Sequence, residues 1–402
     1  MILSWALLAF LAMRIADRVS ASTGLTIILI GAAALRAALL FEPPYLSSDM
    51  YRYVWDGRVQ GSGVNPYAYV PAAPELMPLR DNAIYSNVNR ADYAPTIYPP
   101  VAQMIFLLIT RFGESVITMK LGLLAFEAIA LLAMIGLLRA VDMPATRVVA
   151  YAWHPLPTWE IAGNGHVDAV LVGLVLTALW LSMRGRVLSA GLFVSLAVFV
   201  KPTALLAMPV LWRPWNLKLP AILLGVTALV YVPYLSAGRR VLGFLPGYIQ
   251  EEELNSGGGF RYLGLLQQLT GPIPGGVVLY LSTAMLVITM LALKAGFRAD
   301  RSPSETLRWF GVLLITFLVL LTPHYPWYYL AIAPFLALGT WVTPWVLTTG
   351  GFILYNVMEG DRMPPFALRE ALLHLTVLGA LTYDFWPSRR SSMALQTGEL
   401  RQ

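Results

Sequence analysis

No cysteine occurs anywhere in the chain, which removes disulfides, thiolate metal ligands and cysteine nucleophiles from consideration. Charge is also scarce. Asp, Glu, Lys and Arg make up 12% of the 402 residues, about half the roughly 25% of a soluble domain. Residue-by-residue alternation of apolar and polar side chains is missing, which argues against a membrane β-barrel. There is no GxxxxGKS/T phosphate loop, no GxGxxG following a strand, no HExxH, and no soluble segment large enough for a nucleotide-sugar domain. Repeats, low-complexity tracts and linkers are absent too, so residues 1–402 read as a single domain.

What is present is hydrophobic: 57% of the residues. Backbone polar groups in hydrocarbon are satisfied only in helices or closed barrels, so the sequence predicts an all-α, polytopic transmembrane protein. Candidate spans are 2–13, 24–41, 116–138, 148–162, 168–183, 188–200, 203–212, 219–236, 274–294, 309–322, 325–341, 345–357 and 367–383. Several are short and share a crossing, which leaves roughly 11–13 spans at about 20 apolar residues each. The N-terminal MILSWALLAFLAMRIADR lacks the basic start of a cleavable signal and reads as a short first span. The segment YPPVAQMIFLLITR, residues 98–111, is expected to dip in as a re-entrant or interfacial helix.

The net charge of +6 belongs to membrane topology, since basic residues collect on cytoplasmic loops; a nucleic-acid partner has no support. With the 42–97 loop outside, the inner turns hold Arg14/Arg18, Arg139/Arg147, Arg184/Arg186, Arg213/Lys218, the cluster Lys294/Arg298/Arg301/Arg308 and Arg389/Arg390. The two long polar loops, 42–97 and 237–272, then share the outer face. GNGHVD (163–168), VKPT (200–203) and TPHYPWYY (322–329) join them there. Gly257–Gly259 reads as a mobile loop over that face.

Residues 47–69, SSDMYRYVWDGRVQGSGVNPYAY, concentrate two aspartates, two arginines and five aromatics beside an apolar run. Asp49, Arg52, Tyr53 and Asp56 fall at i, i+3, i+4 and i+7 and so line one helix face. Asp49 is either a helix cap with Ser47 and Ser48 or a partly desolvated general base. The GNGHVD motif puts Asn164, His166 and Asp168 near Glu160. These are either sugar or acceptor contacts or, for His166 and Asp168, metal ligands; without a second ligand cluster, no metal is expected. Lys201 either snorkels to the interface or supplies a point charge for a phosphate. His324, between two prolines, is a phosphate donor, an acid or a structural residue.

Taken together, SSDMYRYVWDGRVQGSGVNPYAY, YPPVAQ, GHVD, KPT and PHYPWYY resemble the bacterial integral-membrane glycosyltransferases of the GT-C superfamily. The similarity is strongest to the polyprenol-phosphate-mannose-dependent mannosyltransferases, and it covers roughly residues 24 to 385. The resemblance implies an inverting transfer of a hexose, mannose by family, from a polyprenyl-phosphate donor to a lipid or glycan acceptor. No cofactor is implied. The site would face the extracytoplasmic side of the bacterial inner membrane, among membrane lipids. Asp49 then takes the place of the catalytic aspartate, with Asp56 in reserve. Arg52, Lys201, His324 and Arg261 are the candidates for the donor phosphate. Tyr53, Asp56, Glu160, Asn164, His166, Asp168 and Trp327 are the substrate contacts. Two other readings stand beside this one: a secondary transporter using Asp49, Glu160, Asp168 and Lys201, and a non-catalytic subunit for envelope-polysaccharide assembly.

Overall fold

The computed structural model describes residues 1–16, 18–355 and 364–386. Every regular element among them is helical. Helix α1 spans Ile2–Ala16 and α2 spans Ala21–Leu40, opened by Ser20, whose side chain accepts from the Thr23 amide. Short α3, Asp49–Gly61, lies in the first long loop, and α4, Pro100–Thr110, follows it. The 25-residue α5, Val116–Ala140, is capped by Ser115. Next come α6, Asp168–Met183, and α7, Val187–Val198. Helix α8, Lys218–Tyr231, continues as a 3-10 turn that bends at Gly238, where φ is 56°. The second long loop carries α9, Leu245–Glu251, and α10, Arg261–Thr270. Helices α11, Gly276–Gly296, and α12, Pro303–Leu321, form a hairpin. The last two helices among the described residues are α13, Thr343–Gly350, and α14, Phe366–Phe385.

Five helical runs among the described residues are long and apolar enough to cross a membrane: Ala21–Leu40, Val116–Ala140, Lys218–Glu251, Gly276–Gly296 and Pro303–Leu321. The protein is therefore an all-α, multi-pass membrane protein. Helix α6 sits at its centre, with every residue from Asp168 to Leu179 buried. It approaches α5 so closely that a β-carbon on Gly173 would stand 2.7 Å from the Phe126 carbonyl oxygen.

Four expected spans are not continuous helices, and proline, which removes a donor and clashes with the preceding turn, accounts for the first three breaks. Residues 148–162 split at Pro155 and Pro157 into short helices and a π-turn, Thr158–Gly163. Residues 203–212 form a 3-10 turn, Pro202–Ala207, followed by one helical turn beginning at Met208. Residues 325–341 become the turns Pro326–Ala331 and Phe335–Leu338. Residues 345–357 end in the turn Gly351–Leu354, and their last two positions lie outside the described residues, as do Arg389 and Arg390. Helix α4 has 11 residues, about 17 Å at 1.5 Å each, too short for a hydrocarbon core of about 30 Å. It packs instead against α3. The triplet at 257–259 folds into a turn whose Gly257 and Gly259 amides both donate to the Glu253 carbonyl.

Basic side chains fasten the turns at one end of the bundle. Arg298 donates to the Val210 carbonyl at 3.1 Å, Arg301 to Trp212 at 3.1 Å, and Arg147 to Ala337 and Gly339 at 3.0 and 2.8 Å. The start of α6 and the end of α7 lie away from their own basic turn at Arg184 and Arg186. His166, just before α6, and residues 200–203, just after α7, join the loops at 42–97 and 237–272 around a large cavity.

Candidate active site

The cavity holds about 580 Å³. One wall is the first turn of α3. Asp49 opens that helix, its amide donating to Ser47 Oγ at 3.2 Å, while Ser48 sits at the cap position without a side-chain cap bond. The Asp49 carboxylate faces the cavity and accepts from Asn89 Nδ2 at 2.8 Å. Arg52 and Tyr53 line the same wall. Tyr53 is fixed by stacking on Phe106, with ring centroids 4.5 Å apart, and by an edge contact with Tyr98.

Asp56 shares the helix face but not the cavity. It is buried, accepting from Arg52 Nε at 2.8 Å and from Gln103 Nε2 at 2.8 Å. Arg52 also donates to the Ala94 carbonyl at 3.1 Å. The YPPVAQ segment thus supplies Gln103, which holds α3 to α4. Their close approach needs Gly57, where a β-carbon would meet the Phe106 carbonyl oxygen at 2.6 Å.

The GNGHVD motif forms the floor, and only His166 of its polar side chains reaches the large cavity. The His166 ring stacks on Trp327, centroids 4.3 Å apart, with Nε2 3.3 Å from Glu160 Oε2. Glu160 and Asn164 stand behind this wall. Glu160 accepts from Tyr355 O–H at 2.6 Å and from Asn164 Nδ2 at 2.9 Å. Asn164 Oδ1 in turn accepts the Leu46 amide at 3.1 Å, anchoring the approach to Asp49. Among the described residues no three His, Asp or Glu side chains converge as a metal site.

Lys201 follows the end of α7 and donates to Asp168 Oδ2 at 2.6 Å, its ammonium 4.7 Å from the centre of the Tyr328 ring. It lines the large cavity and also a smaller, mostly apolar one of about 200 Å³, where Asp168 and His324 lie. His324 stands between two carboxylates, 3.7 Å from Glu252 and 3.5 Å from Glu370. Arg261 borders neither cavity. It is buried against Glu370 at 3.2 Å, and its amide donates to Thr322 Oγ1.

Four contributors escaped the sequence reading: Asn89, Arg90, Tyr248 and Glu252, all lining the large cavity. Helix α9 crosses the cavity as a strap. Glu251 accepts from Arg90 at 2.7 Å and from Tyr93 O–H at 2.9 Å, and the Tyr248 hydroxyl meets that of Tyr328 at 2.5 Å. Burial raises the Glu252 carboxyl above the usual glutamate range, with neighbouring Glu251 adding to the effect and His324 and Arg90 opposing it. Only the EEE triplet gave a signal, and it did not say which of the three faces inward.

Fold and site define a multi-pass helical membrane protein with a polar, aromatic-walled cavity at one end of its bundle. Residues 1–216 match the family described as alpha-(1->6)-mannopyranosyltransferase, N-terminal domain; that is more than half of the 402 residues, and the chain belongs to this family. It is 28% identical over 190 residues to alpha-(1->6)-mannopyranosyltransferase A of Mycobacterium tuberculosis, covering 44% of this chain and 35% of that protein. Against the A enzyme of Corynebacterium glutamicum it is 26% identical over 210 residues, 50% of this chain and 41% of the relative. The B enzyme of the same organism aligns over 391 residues at 25% identity, covering 85% of this chain and 64% of the relative. The matched regions thus span from about a third to just under two thirds of these relatives' lengths. No solved structure matches the chain.

Proposed function

We propose that this protein is an inverting mannosyltransferase that takes its sugar from a polyprenyl-phosphate donor and passes it to a lipid or glycan acceptor outside the cytoplasmic membrane. The observation that carries the reading is that one cavity holds both the Asp49 carboxylate and the Lys201 ammonium. In the reaction, an acceptor hydroxyl attacks the anomeric carbon from the face opposite the phosphate. Asp49 takes the hydroxyl proton, the new glycosidic C–O bond forms, and the bond from the anomeric carbon to the phosphate oxygen breaks. The leaving polyprenyl phosphate keeps the electron pair. Lys201, with Arg52 nearby, stabilises the charge that grows on it.

The charge balance favours a monophosphate donor. Arg52, Arg90 and Lys201 each already carry a carboxylate partner, which suits one phosphodiester charge better than a diphosphate. Tyr325, Trp327 and Tyr328 line the cavity with aromatic surface that suits a sugar ring and an isoprenoid chain. The basic turns at the far end of the bundle support an outward-facing cavity by the positive-inside rule.

The test is transfer of labelled mannose from polyprenyl-phosphate-mannose to envelope lipid extract by the full chain, with Asp49→Asn and Asp56→Asn alongside. Loss of a general base lowers turnover by about 10²–10⁴-fold, and that loss is expected in Asp49→Asn with folding intact. Full transfer by Asp49→Asn would move the base elsewhere. No transfer by wild type from any lipid-linked donor would favour a transporter.

A further inference from the structure

We infer that Asn89 is the positioning residue for the Asp49 carboxylate, aiming one of its oxygens into the cavity by holding the other. The inference rests on the proposed role of Asp49. Among the described residues, the one side-chain hydrogen bond to that carboxylate comes from Asn89 Nδ2, at 2.8 Å to Oδ1. Oδ2 is left for an acceptor hydroxyl. A donor held on Oδ1 fixes the rotation of the carboxylate and so the direction of Oδ2.

The backbone beside Asn89 carries a second, independent sign. Arg90 has φ of 53°, in the left-handed region that a β-carbon disfavours. Such conformations persist where surrounding structure imposes them, and they cluster at functional sites. Here the imposing contacts are visible. The Arg90 carbonyl accepts from the Ala94 amide at 3.1 Å, and Glu251 on the strap binds both Arg90 and Tyr93. The strap helix therefore sets the direction of Asn89 and, through it, that of Asp49.

Other groups around the cavity do not supply this control. Arg52, Arg90 and Lys201 are engaged by Asp56, Glu251 and Asp168. Tyr53, Tyr98 and Tyr325 are pushed by burial above the usual phenol range and stay neutral in the working pH range. His166 and Glu252 also line the cavity, but their close ionisable partners are Glu160 and His324.

The experiment measures kcat and KM for polyprenyl-phosphate-mannose with the full chain in detergent, comparing wild type, Asn89→Ala, Asn89→Asp, Asn89→Gln and Asp49→Asn. Asn89→Ala is expected to lower kcat about ten-fold or more, as losing a hydrogen bond to a charged group does, with donor KM unchanged. Asn89→Gln, which keeps an amide donor, should restore part of the lost kcat, a rescue that a merely structural role would not give. Asn89→Asp, nearly isosteric but without the amide donor, should lose kcat as Asn89→Ala does. An inactive Asp49→Asn beside Asn89→Ala and Asn89→Asp variants that keep the wild-type kcat would overturn the positioning role while leaving the base. An Asp49→Asn enzyme with full transfer would overturn both.

Discussion

Replacing Lys201 by methionine, alone and together with Asp168→Asn, separates two jobs that one side chain performs. Lys201 and Asp168 are 2.6 Å apart, with 18% and 2% of their side chains exposed. Removing the lysine alone strands a buried carboxylate, which costs about 3–5 kcal/mol; the lower figure applies because Lys201 keeps some contact with solvent. Removing both charges is close to neutral by the same reasoning. Thermal melting in detergent should show Lys201→Met well below wild type and the double variant near it. Transfer should not recover in parallel. A lost charged contact to phosphate is worth about 1.5–3 kcal/mol, or roughly 10–150-fold in kcat/KM for the donor. The reasoning is refuted if the double variant regains both stability and wild-type transfer, since Lys201 would then serve the fold alone. It is equally refuted if Lys201→Met melts like wild type.

Two further outcomes test the frame around the cavity. Gly57→Ala places a β-carbon 2.6 Å from the Phe106 carbonyl oxygen and the Thr110 side chain, so α3 must lift from α4 at about 1–3 kcal/mol; an unchanged melting temperature would show that the contact is slack. Glu252→Gln addresses pH. Burial raises the folded carboxyl above its ordinary value of 4.5, so the unfolded chain releases its proton first and wild-type stability falls as pH climbs from that value through the raised one. The glutamine variant should lose this decline and melt higher than wild type on the neutral side, and parallel melting curves across that window would contradict the burial argument.

Much of the helical frame could be read from the sequence because lipid-facing helices announce themselves by length and apolarity. The limits of α6 at residues 168 and 183 coincide with the expected span. The broken segments were harder. HPLP and PHYPWYY carry their prolines openly, yet hydropathy alone joins the pieces that proline separates. In the site, helical spacing put Asp49, Arg52 and Tyr53 on the cavity wall. The same spacing could not tell that Asp56, one turn on, faces Gln103 instead. That distinction depends on α4, which lies more than forty residues later in the chain, and no local pattern encodes it. Asn89 and Arg90 lie in NVNRADY, an irregular polar stretch without periodicity, so their contacts with Asp49 and Glu251 exist only through the fold. Arg261 illustrates the opposite case: a cation in a glycine-rich loop looks available until Glu370, from the last helix, closes on it.

The pairing of each cavity cation with its own carboxylate bears on how a turnover ends. For the donor proposed here, the phosphodiester arrives with one negative charge and the phosphomonoester departs with up to two. A pocket with surplus positive charge would grip the spent lipid more tightly than the fresh one and would stall on its own product. Arg52, Arg90 and Lys201 stand 2.6–2.8 Å from Asp56, Glu251 and Asp168, and the Asp49 and Glu252 carboxyl groups line the same space. In the proposed reaction the cations steady the charge as it forms, yet with no surplus of positive charge the cavity gains little extra grip on the spent carrier, which favours its return to the bilayer.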